Sequence, residues 1–125
     1  MTTTYALLLA RCGLSQSEAA AFHDVRPDTV KSWSAGRNQA PPGVIAELRV
    51  LYAQIEKAAD AAIAEISALM KEQKSDEIEM GLARNDAEAQ QLGMPCVGAH
   101  RAMIGMVAAT VPIKIAVVPR GAGTL

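Results

Sequence analysis

The sequence predicts a mainly α protein with a small α+β region toward its C-terminal end. Three observations carry that expectation. Alanine supplies 24 of the 125 residues, and it is the strongest helix former. Apolar residues recur at spacings of three and four through most of the chain up to Met70, the period of a helix with one buried face. Two short stretches, 78–82 and 113–118, break that rhythm with alternating or β-branched residues, the texture of short strands.

Thr2–Thr4 can cap a first helix, on which Tyr5, Leu8, Leu9 and Cys12 share a face and which Gly13 stops. Ser15-Gln16-Ser17-Glu18 is a capping box, in which a hydroxyl and a carboxylate each bond a backbone N–H that the helix itself leaves unpaired. This second helix runs through Ala19, Ala20 and Phe22 and fades at His23-Asp24, where His23 is expected as a C-terminal cap or surface residue. Pro27 suits the first position of a third helix, where a missing N–H costs nothing. That helix passes Val30 and Trp33 and ends at Ala35-Gly36. A loop follows from Arg37 to Pro42.

Then a long helical pattern begins. Val44, Leu48, Leu51, Ile55, Ala58, Ala62, Ile66 and Leu69 form one apolar row, and Ile45, Tyr52, Ala59, Ile63 and Met70 flank it. Unbroken, it would be roughly 45 Å long, with 57–60 the place where a bend would fall. Beyond it lie the first strand, a short helix opening near Asn85, another from Gly98, the second strand, and a frayed tail from Arg120 to Leu125. Two strands alone make a marginal sheet, so they are expected to extend or to pair across a two-fold axis.

Twelve basic residues stand against thirteen acidic ones. The sum hides an uneven distribution. Residues 1–50 carry five basic and four acidic groups, 51–80 carry three and seven, and 81–125 carry four and two. Half the residues are apolar, which excludes disorder of the whole chain. No apolar run reaches the roughly 20 residues of a membrane span, and the start lacks the basic segment of a signal peptide, so no membrane and a cytoplasmic location are expected. Cys12 and Cys96 lack metal-ligand spacing. Cys96 and His100 stand four apart without a third partner, so no catalytic residue, no metal and no cofactor is expected, and the chain is read as not an enzyme. Met94, Met103 and Met106 are expected in the core or an interface, and the acidic run 72–79 on a solvated face.

The informative stretch is Leu14 to Pro42. Leu14, Ala19, Ala20, Val25, Val30 and Trp33 would fill the angle between two short helices joined by Asp24-Val25-Arg26. Small residues where helices cross are what a helix-turn-helix requires. Val25, Val30, Trp33, Gly36, Arg37 and Pro41 follow a spacing that resembles the phage Cro and repressor superfamily, and within it the YdiL-like regulators, which include anti-CRISPR-associated autorepressors.

That resemblance implies a helix-turn-helix DNA-binding domain at 1–55 and a helical arm with a dimerisation region at 56–125. It implies DNA contacts position by position. Gln16 would address a phosphate or an early recognition residue. Arg26, Asp28, Lys31 and Ser32 would face the groove, with Thr29 half-exposed. Arg37, Asn38 and Gln39 would grip phosphate. Asp28 is suited to accept from cytosine N4. Trp33 falls on the core face. The function expected is a homodimeric transcriptional repressor on a palindromic operator of double-stranded DNA, regulating its own operon, with an anti-CRISPR operon the concrete case that the resemblance implies. Two other readings stay open: an antitoxin-like DNA-binding partner of a co-encoded protein, and a protein-interaction module that binds no DNA. RNA stays open as a partner, though no motif calls for it.

Overall fold

The structure is a computed structural model, and it describes residues 2–73 and 76–121. It is mainly helical, with six helices and one two-stranded sheet among the described residues. The chain divides into two compact units, Met1–Gln54 and Ile55–Leu125.

In the first unit, local signals set each helix boundary. Thr3 caps α1 (Thr4–Arg11) by accepting from the Ala6 N–H at 3.0 Å. The Thr3 hydroxyl also donates to the Ser34 carbonyl at 3.2 Å, tying the start of α1 to the end of α3. Ser15 and Glu18 form the full capping box of α2 (Gln16–His23), with both bonds at 3.0 Å. Asp24 then adopts the left-handed conformation, φ 58°, which Asp tolerates better than most residues. It turns the chain into α3 (Pro27–Ala35), with Pro27 at the first position. Gly36 closes α3 at φ 80°. A Cβ there would also stand 3.2 Å from Thr3 Cγ2, so both backbone and space ask for glycine. Helices α2 and α3 pack on one another, and α1 packs on α3. Leu9, Leu14, Ala19, Ala20, Val30 and Trp33 are buried between them.

The long pattern is one helix, α4 (Pro42–Gln73), with no interruption at 57–60. Every residue of its two apolar rows is buried or half-buried. Leu48 and Leu51 serve the core of the first unit. Ala59 and Ile66 belong to the core of the second.

The second unit holds β1 (Glu77–Leu82), α5 (Asp86–Gln91), α6 (Val97–Thr110) and β2 (Lys114–Pro119). Asn85 caps α5, accepting from the Glu88 N–H at 2.9 Å. The strands pair with each other, in parallel, with Ile78 opposite Ile115 and Met80 opposite Val117. The expected pairing across a two-fold axis is therefore not what gives them partners here. A parallel pair needs a crossover, and α5 with α6 supplies it. Met80, Ile104, Val107 and Val111 form the core with α4 residues. Met94 is buried, and Met103 and Met106 lie half-buried against that core. Glu72, Asp76, Glu77 and Glu79 are exposed. Of the tail expected to fray, 122–125 lie outside the described residues.

Candidate nucleic-acid interface

The candidate residues sit on α2, on α3 and on the loop that follows. Along α3, Val30 and Trp33 point into the core. Asp28, Lys31 and Ser32, three and four residues apart, share the opposite face. Asp28 and Lys31 are exposed, and Ser32 and Thr29 are half-buried. Arg26 is the exposed N-cap residue of α3, and its side chain makes no capping bond. Gln16 is exposed at the first position of α2.

After Gly36, the Arg37 N–H donates back to the Ser32 carbonyl at 3.1 Å, which folds the loop onto the last turn of α3. Asn38 Nδ2 donates to Ser32 Oγ at 2.7 Å. The structure thus brings Asn38 beside the α3 face and leaves both Arg37 and Asn38 exposed. Arg26, Lys31 and Arg37 outnumber Asp24 and Asp28 across this stretch, a small positive excess rather than a basic patch. Gln16 makes no bond to the α3 residues; its place on α2 is all that relates it to them.

A cleft of about 530 Å³ opens at the loop after α3 within the first unit, lined by Trp33, Gly36 and Asn38 and not by Asp28, Lys31 or Ser32. Its walls include Thr3, Thr4, Asn38, Gln39 and Arg49. Thr3, Thr4 and Arg49 are not part of the set read from the sequence. Arg49 sits on the exposed side of α4 between buried Leu48 and Leu51. Its position flags it as solvent-facing, but only the tertiary fold brings it to the cleft that Asn38 also lines.

Behind the face, the core holds a polar cluster that corrects the expectation for His23. It is neither a cap nor a surface residue: its side chain is 0 % exposed. The imidazole lies among the rings of Tyr5, Phe22 and Trp33, with centroids 5.9, 5.2 and 6.0 Å away. The physical reason is the Asp24 turn. It carries the chain on into α3, so the last turn of α2 faces Trp33 and not solvent. Glu47 Oε1 stands 3.6 Å from His23 Nδ1, beyond hydrogen-bond reach, and neither ring nitrogen has a hydrogen-bond partner. Burial holds His23 below its ordinary pKa, and the Glu47 carboxylate opposes that shift with smaller effect. Tyr5 is 2 % exposed and its hydroxyl also lacks a partner. Burial, with a smaller contribution from Glu47, pushes its pKa up to about 12.

Cys12 is buried, donates to the Leu48 carbonyl at 3.5 Å, and is pushed up to about 11 by burial, which suits a structural thiol. Cys96 is the N-cap residue of α6 and His100 lies in its first turn. His100 Nδ1 accepts from the Ala83 N–H at 3.0 Å. Among the described residues, no group of three or more His, Cys, Asp or Glu could hold a metal ion, and no helix is long and apolar enough to cross a membrane. In comparison with known proteins, no family model matches the chain and no curated protein matches it.

Proposed function

We propose that this chain is a sequence-specific DNA-binding repressor that acts as a homodimer on an inverted repeat, with α2 and α3 as a helix-turn-helix. The observation that carries the reading is α3 itself. One side anchors in the core through Val30 and Trp33, and the other presents Asp28, Lys31 and Ser32 with Asn38 alongside. A recognition helix needs that division. Its core side fixes the angle of entry, and its early outward residues meet base edges in the major groove. Arg26 and Arg37 bracket this helix, where phosphates flank a docked helix.

One such helix reads only a few base pairs, so two copies about 34 Å apart on one DNA face are required for specificity. The operator proposed is the chain's own promoter, where binding would occlude RNA polymerase. Regulation of an anti-CRISPR operon is the concrete form that the sequence resemblance gives this proposal.

The test is a footprint on DNA upstream of the chain's own gene, repeated with Lys31→Ala and Arg37→Ala. Two protected half-sites, lost or strongly weakened in both folded variants, are expected. Full-strength protection with both variants would reject this docking. No protection anywhere upstream would reject operator binding there; a stable complex with a co-encoded protein would favour the antitoxin-like reading, and salt-insensitive binding with no gel shift on promoter DNA would favour a protein-interaction module.

A further inference from the structure

The cleft at the loop after α3 has a chemistry that the DNA reading leaves unused. Its volume, about 530 Å³, falls within the roughly 300–1,000 Å³ of small-molecule sites. Among the described residues that line it, none is acidic and Arg49 alone is cationic.

Arg49 is uncommitted. It is exposed and makes no hydrogen bond or ion pair among the described residues. Its helix neighbours three and four positions away are Ile45, Ala46, Tyr52 and Ala53, so no carboxylate stands where an α4 partner would have to be. The Tyr52 hydroxyl already accepts from Arg11 at 2.8 Å. Thr4 and Gln39 line the same cleft, are exposed, and likewise have side chains without a hydrogen bond. Their neighbours are spent. Thr3 caps α1 and holds the Ser34 carbonyl, and Asn38 Nδ2 donates to Ser32 Oγ. Trp33, Ala40 and Ile45 supply apolar wall. Trp33 is 9 % exposed, and the other two are half-buried.

The free groups select an anion and a flat ring. A guanidinium fork with a hydroxyl beside it offers donors to all the terminal oxygens of a phosphate ester, and a carboxylate would use only part of that set. A side-chain amide carries donor and acceptor together, the pattern that pairs with the N6 and N7 edge of adenine. We infer that this cleft is a binding site for an adenine mononucleotide, with its phosphate on Arg49 and Thr4, its base against Trp33, Ala40 and Ile45, and the Gln39 amide on the base edge. The inference does not depend on whether the first unit binds DNA.

Trp33 is the chain's single tryptophan, so its emission reports on the cleft directly. The test titrates AMP into the full chain and follows that emission. Adenosine, GMP and a random-sequence DNA duplex without terminal phosphates serve as comparisons. A saturable change is expected with AMP. Affinity should fall at least about tenfold for adenosine, and for AMP in Arg49→Ala. Gln39→Ala should bring AMP and GMP to equal affinity, from an advantage of about tenfold for AMP in the natural chain. Both substituted residues are exposed, so an unchanged melting temperature is expected of each variant, and the adenosine comparison needs no variant at all. No saturable change at millimolar AMP, equal affinity for AMP and adenosine, or undiminished AMP binding by folded Arg49→Ala would each overturn the assignment. A response to the duplex without one to AMP would overturn it too, giving the cleft to a DNA backbone phosphate.

Discussion

His23 carries the strongest residue-scale consequence. Its folded pKa lies below the ordinary value of 6.5 because the ring is desolvated. As pH falls, the unfolded chain takes up the proton first. Stability from this residue is therefore complete above about pH 6.5 and drains away as pH falls below it. His100 is shifted in the same direction. Denaturant titrations should accordingly show stability falling from pH 7 to pH 5, and His23→Phe should flatten that slope for the first unit. Tyr5 offers a second check. Its buried hydroxyl has no partner, and a lone buried polar group costs about 1–3 kcal/mol. Tyr5→Phe is expected to leave thermal stability unchanged or to raise it. Trp33 contrasts with both, because its ring packs edge-on to Tyr5 at 5.5 Å. Trp33→Ala should cost roughly 3–5 kcal/mol, seen as loss of the first unit's folding, whereas Lys31→Ala should leave the melting temperature in place.

At the scale of elements, what was legible in the sequence was what adjacent residues decide. The Ser15–Glu18 box, Pro27 at the first position of α3 and the paired apolar rows of α4 act over one to three turns, and each is realised. Ser15→Ala should therefore cost about 1 kcal/mol, measurable as a lower midpoint in denaturant. The candidate set was legible for the same reason: spacing along α3 alone separates Lys31 from Val30. The features that escaped depend on residues distant in sequence. The Asp24 turn beside His23 is readable in the sequence, but the partners that bury its ring, Trp33 of α3 and Glu47 of α4, lie 10 and 24 residues on, and the pattern around His23 does not name them. The parallel pairing of β1 and β2 escaped because strand texture specifies neither partner nor direction. Arg49 joins the cleft wall only when α4 lies beside the loop after α3.

For the whole molecule, the near-balance of charge sets the character of the proposed DNA binding. With few phosphate-facing cations, nonspecific affinity should be modest, and affinity should fall with salt in proportion to the phosphate contacts made. Lys31→Ala or Arg37→Ala should weaken binding uniformly across sequences if the residue grips phosphate, and lower the slope of log affinity against log salt by about 1 per contact removed. A base-reading residue such as Asp28 should instead relax specificity at one position. Spacing gives an independent check. Inserting half a helical turn between half-sites rotates one to the far side of the duplex, and gel-shift affinity should collapse toward that of a single half-site.

The parallel β1–β2 pair has a kinetic side. Its register joins Glu77 to Lys114 across the whole of α5 and α6, so no ladder bond can form until a long loop has closed. The sheet is then a late event, gained only as α6 docks, and its amides should exchange with solvent as one group when this unit opens. A chain stopped before Lys114 would keep β1 with nothing to pair against. Both of its edges, and not one, would then present unpaired N–H and C=O groups to other chains, so truncated products should accumulate as aggregates while the full chain stays dispersed.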